Sequence, residues 1–152
     1  MQQRRSTDFH LQDQTGTNFA RPSARRRQLV LAVEDEYHDW VIYGKMLWYN
    51  GFDVIHAVDA EEGLRLAQEH VPDIVLADLV LPGMDGIDLC RALKRGASTC
   101  DIPVLVLSAR ARKEFGGRAM EAGCCGYLEK PIGPVEVLHA IEDQVGRPPP
   151  QA

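Results

Sequence analysis

Five apolar runs alternating with helix-like segments predict an α/β fold, a doubly wound parallel five-stranded sheet with helices on both faces. The runs LVLAV (Leu29–Val33), DIVLAD (Asp73–Asp78) and PVLVLS (Pro103–Ser108) lack the polar alternation of a half-exposed strand, so they read as strands covered on both sides. Each run leads into a segment with helical spacing, and a strand–helix–strand crossover in one sheet must be right-handed. The length of 152 residues, 45% of them apolar, suits a single core with short tails.

After the first strand a helix is expected through about Asn50, with Trp40, Gly44, Leu47 and Trp48 on its inner face and Gly51 ending it. Asp53–Ala57 (DVIHA) reads as the second strand. Asp59 and Glu62 form a capping-box pattern for a helix to about His70. The third strand, Asp73–Asp78, runs into Pro82-Gly83-Met84-Asp85-Gly86, a turn by composition, and a helix from about Ile87 to Arg95. The fourth strand, Pro103–Ser108, is followed by a weaker helix to Ala122, then a short fifth strand, Gly126–Glu129. The last helix should bury Val137, Leu138, Ile141 and Val145.

Charge is divided unevenly. Residues 1–28 carry six Arg against Asp8 and Asp13, and with few apolar residues they read as a disordered basic extension. Arg25-Arg26-Arg27 reads as a solvated lead-in, although such a run also suits an acidic partner. Residues 29–146 hold twenty acidic and ten basic groups, which argues against direct DNA binding as the main business of the folded part. Residues 147–152 form a short Pro-rich tail, and nothing long enough to be an output domain follows. The four cysteines contain no C-x-x-C pair and read as reduced structural thiols. No apolar run is long enough to cross a membrane and no signal peptide is evident, so a cytoplasmic location is expected.

In an open parallel sheet the functional crevice lies beyond the carboxyl ends of the strands. The groups there are Glu34, Asp35 and Glu36 after the first strand, Asp78 at the end of the third, Ser108 at the end of the fourth, and Lys130-Pro131 after the fifth. Clustered carboxylates repel one another unless a cation joins them. A hard divalent ion, with Mg²⁺ the best match, suits a few carboxylates combined with phosphate. A strand-end carboxylate beside such an ion is a nucleophile for phosphorus, and Lys130 and Ser108 supply a cation and a hydroxyl for the phosphoryl oxygens.

Four ordered motifs turn this pattern into a resemblance. Leu29-Val-Leu-Ala-Val-Glu-Asp-Glu36 looks like an acidic-pair motif, and Asp78-Leu-Val-Leu-Pro-Gly-Met-Asp-Gly86 like a phosphoacceptor and its turn. Leu107-Ser108-Ala109 looks like a switch hydroxyl with its small neighbour, and Gly126-Tyr127-Leu128-Glu129-Lys130-Pro131 like a fifth-strand motif. Together, from about Leu29 to Val145, they resemble the receiver domain of two-component response regulators. The resemblance implies a flavodoxin-like (βα)5 fold with strand order 2-1-3-4-5. It implies Asp78 as phosphoacceptor with Lys130 and Ser108 beside it. Glu34, Asp35, Asp78 and the backbone carbonyl of Val80 would hold Mg²⁺. Ser108 and Tyr127 would form the switch, Tyr127 turning inward as Ser108 swings toward the phosphoryl group, and Lys130-Pro131 would be cis. Glu34 stands where Asp is commoner, Ser108 where Thr is frequent, and Ile132 where Phe is usual; none removes a functional group.

The implied partners are a sensor histidine kinase or phosphotransfer protein as donor and an unidentified protein target, met through the fourth helix, fifth strand and fifth helix. The resemblance leaves room for a dimer formed on phosphorylation. The expected activity is that of a single-domain signalling switch rather than a turnover enzyme. Two other readings are a degenerate receiver that binds without phosphorylation and an aspartyl-nucleophile phosphohydrolase. The second wants another Asp two residues after the nucleophile, where Val80 stands. Alone, Asp78 would pass for a loop cap, Tyr127 for edge packing, and Glu36 for a solvated helix-start acid. The five histidines form no ligand cluster and receive no role.

Overall fold

The computed structural model describes residues 27–146. Five strand–helix units follow in order: β1 (Leu29–Val33), α1 (Tyr37–Tyr49), β2 (Asp53–Ala57), α2 (Ala60–His70), β3 (Ile74–Asp78), α3 (Gly86–Arg95), β4 (Val104–Ser108), α4 (Arg112–Glu121), β5 (Gly126–Glu129) and α5 (Pro134–Val145). All strand pairs are parallel, in the order β2-β1-β3-β4-β5. This is the flavodoxin-like arrangement that the resemblance implies. The basic stretch up to residue 26 and the tail from residue 147 lie outside the described residues.

Strand pleating sends successive side chains to opposite faces, and the core divides accordingly. Leu31, Val33, Val75, Ala77, Val104 and Val106 meet Leu66 of α2, Leu89 and Leu93 of α3, and Ala119 of α4. Val30, Ala32, Ile74, Leu76, Leu105 and Leu107 meet Trp40 and Leu47 of α1 and Val137 and Ile141 of α5. Every residue of β1 and of β4 is buried, which explains why those runs show no polar alternation.

Local chemistry places the helix starts. Asp59 accepts from the Glu62 N–H at 2.8 Å, the side-chain-to-backbone half of the expected capping box. Asp85 accepts from the Asp88 N–H at 2.8 Å, which starts α3 one residue before the expected Ile87. Gly51, with φ of 98°, turns the chain after α1 into β2. No helix among the described residues is long and apolar enough to cross a membrane.

Two details depart from expectation. Val145 is only partly buried, because it lies in the last turn of α5 at the edge of the α1–α5 cluster. Packing also reaches back before β1. Arg27 donates to the Trp48 carbonyl at 2.8 Å and lies over the Trp48 ring, and the Gln28 carbonyl accepts from the Asp53 N–H at 2.9 Å. Arg27 is therefore a docked side chain rather than a solvated lead-in.

Gly86 packs directly against the backbone of Asp78. A Cβ there would collide with the Asp78 carbonyl oxygen and stand 3.1 Å from Leu79 Cα, both rigid backbone. Gly117, on the exposed side of α4, has open space where a Cβ would go. Gly86→Ala should therefore cost about 1–3 kcal/mol, whereas Gly117→Ala should stabilise by about 0.5–1 kcal/mol. Urea denaturation checks both signs.

Candidate functional site

β1 and β3 are neighbours at the centre of the sheet, and α1 and α3, which follow them, cover opposite faces. The chain thus parts at their carboxyl ends and leaves a crevice there. Glu34 and Asp35 follow β1, Asp78 ends β3, Ser108 ends β4 and Lys130 follows β5.

Oxygens of Glu34, Asp35 and Asp78 lie within 4.8 Å of one another. Glu34 is buried, Asp78 half-buried and Asp35 exposed, so the cluster opens to solvent on the Asp35 side. The Glu36 N–H donates to Glu34 Oε1 at 3.0 Å, and the Val80 N–H donates to Asp78 Oδ1 at 3.1 Å. Lys130 Nζ stands 3.5 Å from both Glu34 Oε2 and Asp78 Oδ2. It donates at 2.7 Å to Asp39 Oδ2, in the first turn of α1.

Burial pushes the Glu34 carboxyl up to about 7; the Glu36 N–H opposes this and the negative charge of Asp78 adds to it. Burial works against the Lys130 ammonium, but the hydrogen bond to Asp39 and the charges of Asp78 and Glu34 outweigh it and raise its pKa. Lys130 is therefore a fixed cation at neutral pH. The crevice holds more negative charge than this one ammonium balances. Three hard oxygen donors, one destabilised by burial and one open to solvent, fit a divalent ion such as Mg²⁺. Val80, whose carbonyl the sequence reading adds to this set, follows Asp78 at an exposed position.

Ser108 and Tyr127 form a second group beside the first. Ser108 is fully buried, and its Oγ accepts from the Arg110 N–H at 3.0 Å. The Tyr127 hydroxyl donates to the Arg110 carbonyl at 2.8 Å. The Tyr127 ring, expected to turn inward as Ser108 moves, is buried here, held by that bond and by its place in the apolar cluster. The Lys130 N–H donates to the Ser108 carbonyl at 2.7 Å, so the two groups share backbone. The Lys130-Pro131 peptide is cis, as expected.

The sequence reading missed two participants. Asp39 holds the shortest contact of Lys130, and its place as an acid in the first turn of α1, next to the acidic run, was the available signal. His56 received no role, yet its Nε2 lies 2.6 Å from the Glu34 carbonyl, which can only accept, so Nε2 carries the proton. Its ring stacks on Trp40 with centroids 4.2 Å apart. Burial lowers its pKa, which keeps the imidazole neutral in this packing. Glu36 caps α1, its carboxylate accepting from the His38 N–H.

Comparison with known proteins points to one family. The family described as "Response regulator receiver domain" matches residues 30–142. The phosphate regulon transcriptional regulatory protein PhoB of Escherichia coli is 37% identical over 123 residues, covering 81% of this chain and 54% of PhoB. The chain thus spans about half the length of its PhoB relatives. The polar-differentiation response regulator DivK of Brucella ovis is 31% identical over 117 residues, covering 77% of this chain and 95% of DivK. Among solved structures, the receiver domain of the sensor histidine kinase PA1611 from Pseudomonas aeruginosa superposes with a TM-score of 0.73 at 26% identity. It covers 80% of this chain and 99% of that one, and has a magnesium ion coordinated in its active site cleft.

The raised Glu34 pKa has a definite sign. Between about 4.5 and about 7 the folded protein keeps a proton that the unfolded chain releases, so stability falls as pH rises through that window. In chelator-treated buffer, urea midpoints should therefore drop between pH 5 and pH 7.5. Glu34→Gln should flatten the drop, and Mg²⁺ should raise the midpoint more at the higher pH. An unchanged slope in the variant would refute the assignment.

Proposed function

The chain belongs to the response regulator receiver domain family, and from that premise we propose that it takes a phosphoryl group onto Asp78 from a phosphohistidine of a sensor histidine kinase or phosphotransfer protein. The observation that carries this reading is the Asp78 carboxylate itself, at a strand end, 3.5 Å from the Lys130 ammonium and within the acidic cluster.

A carboxylate attacks as the anion and needs no separate base. One of the Asp78 oxygens forms a bond to phosphorus as the phosphorus–nitrogen bond of the phosphohistidine breaks. The electron pair stays on the imidazole nitrogen, and an acyl phosphate results. Charge develops on the peripheral phosphoryl oxygens, where Lys130 is placed to receive one of them. Mg²⁺, held by Glu34, Asp35, Asp78 and the Val80 carbonyl, supplies further neutralisation of that charge when bound.

The signal leaves through Ser108. Its hydroxyl turns to donate to the phosphoryl group and gives up the Arg110 N–H. Arg110 then moves, and with it the carbonyl that holds the Tyr127 hydroxyl. The shared Arg110 anchor supports this coupling. The α4–β5–α5 surface is thereby altered for a protein target or a second copy of the chain. We assign residues 29–146 to the receiver, 1–28 to a basic extension and 147–152 to a tail, and place the protein in the cytoplasm as a switch rather than a turnover enzyme.

Incubation with acetyl phosphate and Mg²⁺ should add the mass of one phosphoryl group to the intact chain, and Asp78→Asn should abolish the gain. Full labelling of that variant would sink the assignment. Ser108→Ala should still be labelled, but hydrogen exchange in residues 109–130 should no longer respond. The coupling lost is on the order of 1–3 kcal/mol. A variant segment that responds as the parent does would remove Ser108 from the path.

A further inference from the structure

The strongest hold on Lys130 comes from outside the acidic cluster. At 2.7 Å its bond to Asp39 Oδ2 has the length of a charge-assisted hydrogen bond, whereas Glu34 and Asp78, both at 3.5 Å, stand at the limit of hydrogen bonding. Asp39 sits in the first turn of α1, where the positive end of the helix dipole favours its charge. Its carboxylate is a third exposed and so escapes the burial that acts on Glu34.

We propose that Asp39 is a positioning residue that draws Lys130 away from Asp78 in the unphosphorylated protein and yields it to the phosphoryl group, and so sets how readily Asp78 is phosphorylated. This inference rests on the phosphoacceptor reading of Asp78 given above. An ammonium shared among carboxylates goes to the greatest density of negative charge. A phosphoryl group carries about −1.5 to −2 at neutral pH, against the single charge of Asp39. Phosphorylation therefore reverses the preference, and Asp39 loses its partner on the first turn of α1.

Removing the Asp39 charge acts in two opposed ways. The released ammonium moves toward Asp78 and Glu34, where it stabilises the incoming phosphoryl group. In the same place it competes with Mg²⁺ for those carboxylates. A merely structural role at the start of α1 would produce neither the faster reaction nor the opposition.

The test uses the full chain with acetyl phosphate as donor, intact mass to follow labelling, and a series of Mg²⁺ concentrations. Mg²⁺ binding without donor is read by tryptophan fluorescence, because Trp40 lines the same small cavity as Glu34 and Asp78. Asp39→Asn should label about three- to tenfold faster at saturating Mg²⁺, a factor of ten being about 1.4 kcal/mol of barrier. The same variant should need several-fold more Mg²⁺ in both measurements. Asp39→Glu should restore the parent's behaviour. In a Lys130→Ala background, Asp39→Asn should no longer accelerate labelling. A labelled parent with an Asp39→Asn variant no faster than it, or an equal gain without Lys130, overturns the inference alone. A parent that takes no label overturns the phosphoacceptor reading and this inference with it.

Discussion

Like charge is held together at the centre of this sheet, and the rest of the crevice is arranged around that constraint. Glu34 and Asp35 leave β1 where Asp78 leaves β3, and the register that pairs Val33 with Ala77 brings their oxygens within 4.8 Å. Such repulsion would spread flexible loops apart. Here the strand ends are fixed by two apolar layers, one under α2, α3 and α4 and the other under α1 and α5. Burial, with the charge of Asp78 adding to it, pushes Glu34 toward its neutral form. The core thus supports a charge cluster that is unfavourable by itself.

Lys130 is the one ammonium bonded into this cluster among the described residues, and its position ties four elements together. Its side chain reaches α1 through Asp39 and the β1 and β3 ends through Glu34 and Asp78. Its backbone N–H binds the Ser108 carbonyl at the end of β4. The charge balance of the crevice and the position of the β4–α4 connection are therefore joined through one residue. Arg110 extends the link outward, because its N–H and carbonyl anchor Ser108 and Tyr127 respectively. A change of charge at Asp78 has a short, bonded route to the surface beside β5.

The elements legible in the sequence were those decided by local chemistry. Continuous apolar runs mark strands covered on both faces, and Asp59 with Glu62 marks a helix start, because capping involves residues only three apart. The convergence of Glu34, Asp35, Asp78 and Lys130 was also legible, since parallel strands deliver all their carboxyl ends to one rim. Asp85 was less so. It read as part of a composition-defined turn, and its capping bond set the start of α3 at Gly86.

What the sequence by itself determined is the order of strands and helices and the set of charged groups at the crevice, because periodicity and turn chemistry act over a few residues. Only the tertiary structure decided which of those groups pair. Asp39 and Lys130 are 91 positions apart, and their bond depends on how α1 seats against the sheet and where a flexible four-carbon side chain comes to rest. The stacking of His56 on Trp40, the docking of Arg27 on Trp48 and the burial of Tyr127 are of the same kind. Each is a contact between elements, fixed by packing across the sheet, and residue order alone carries no measure of that distance.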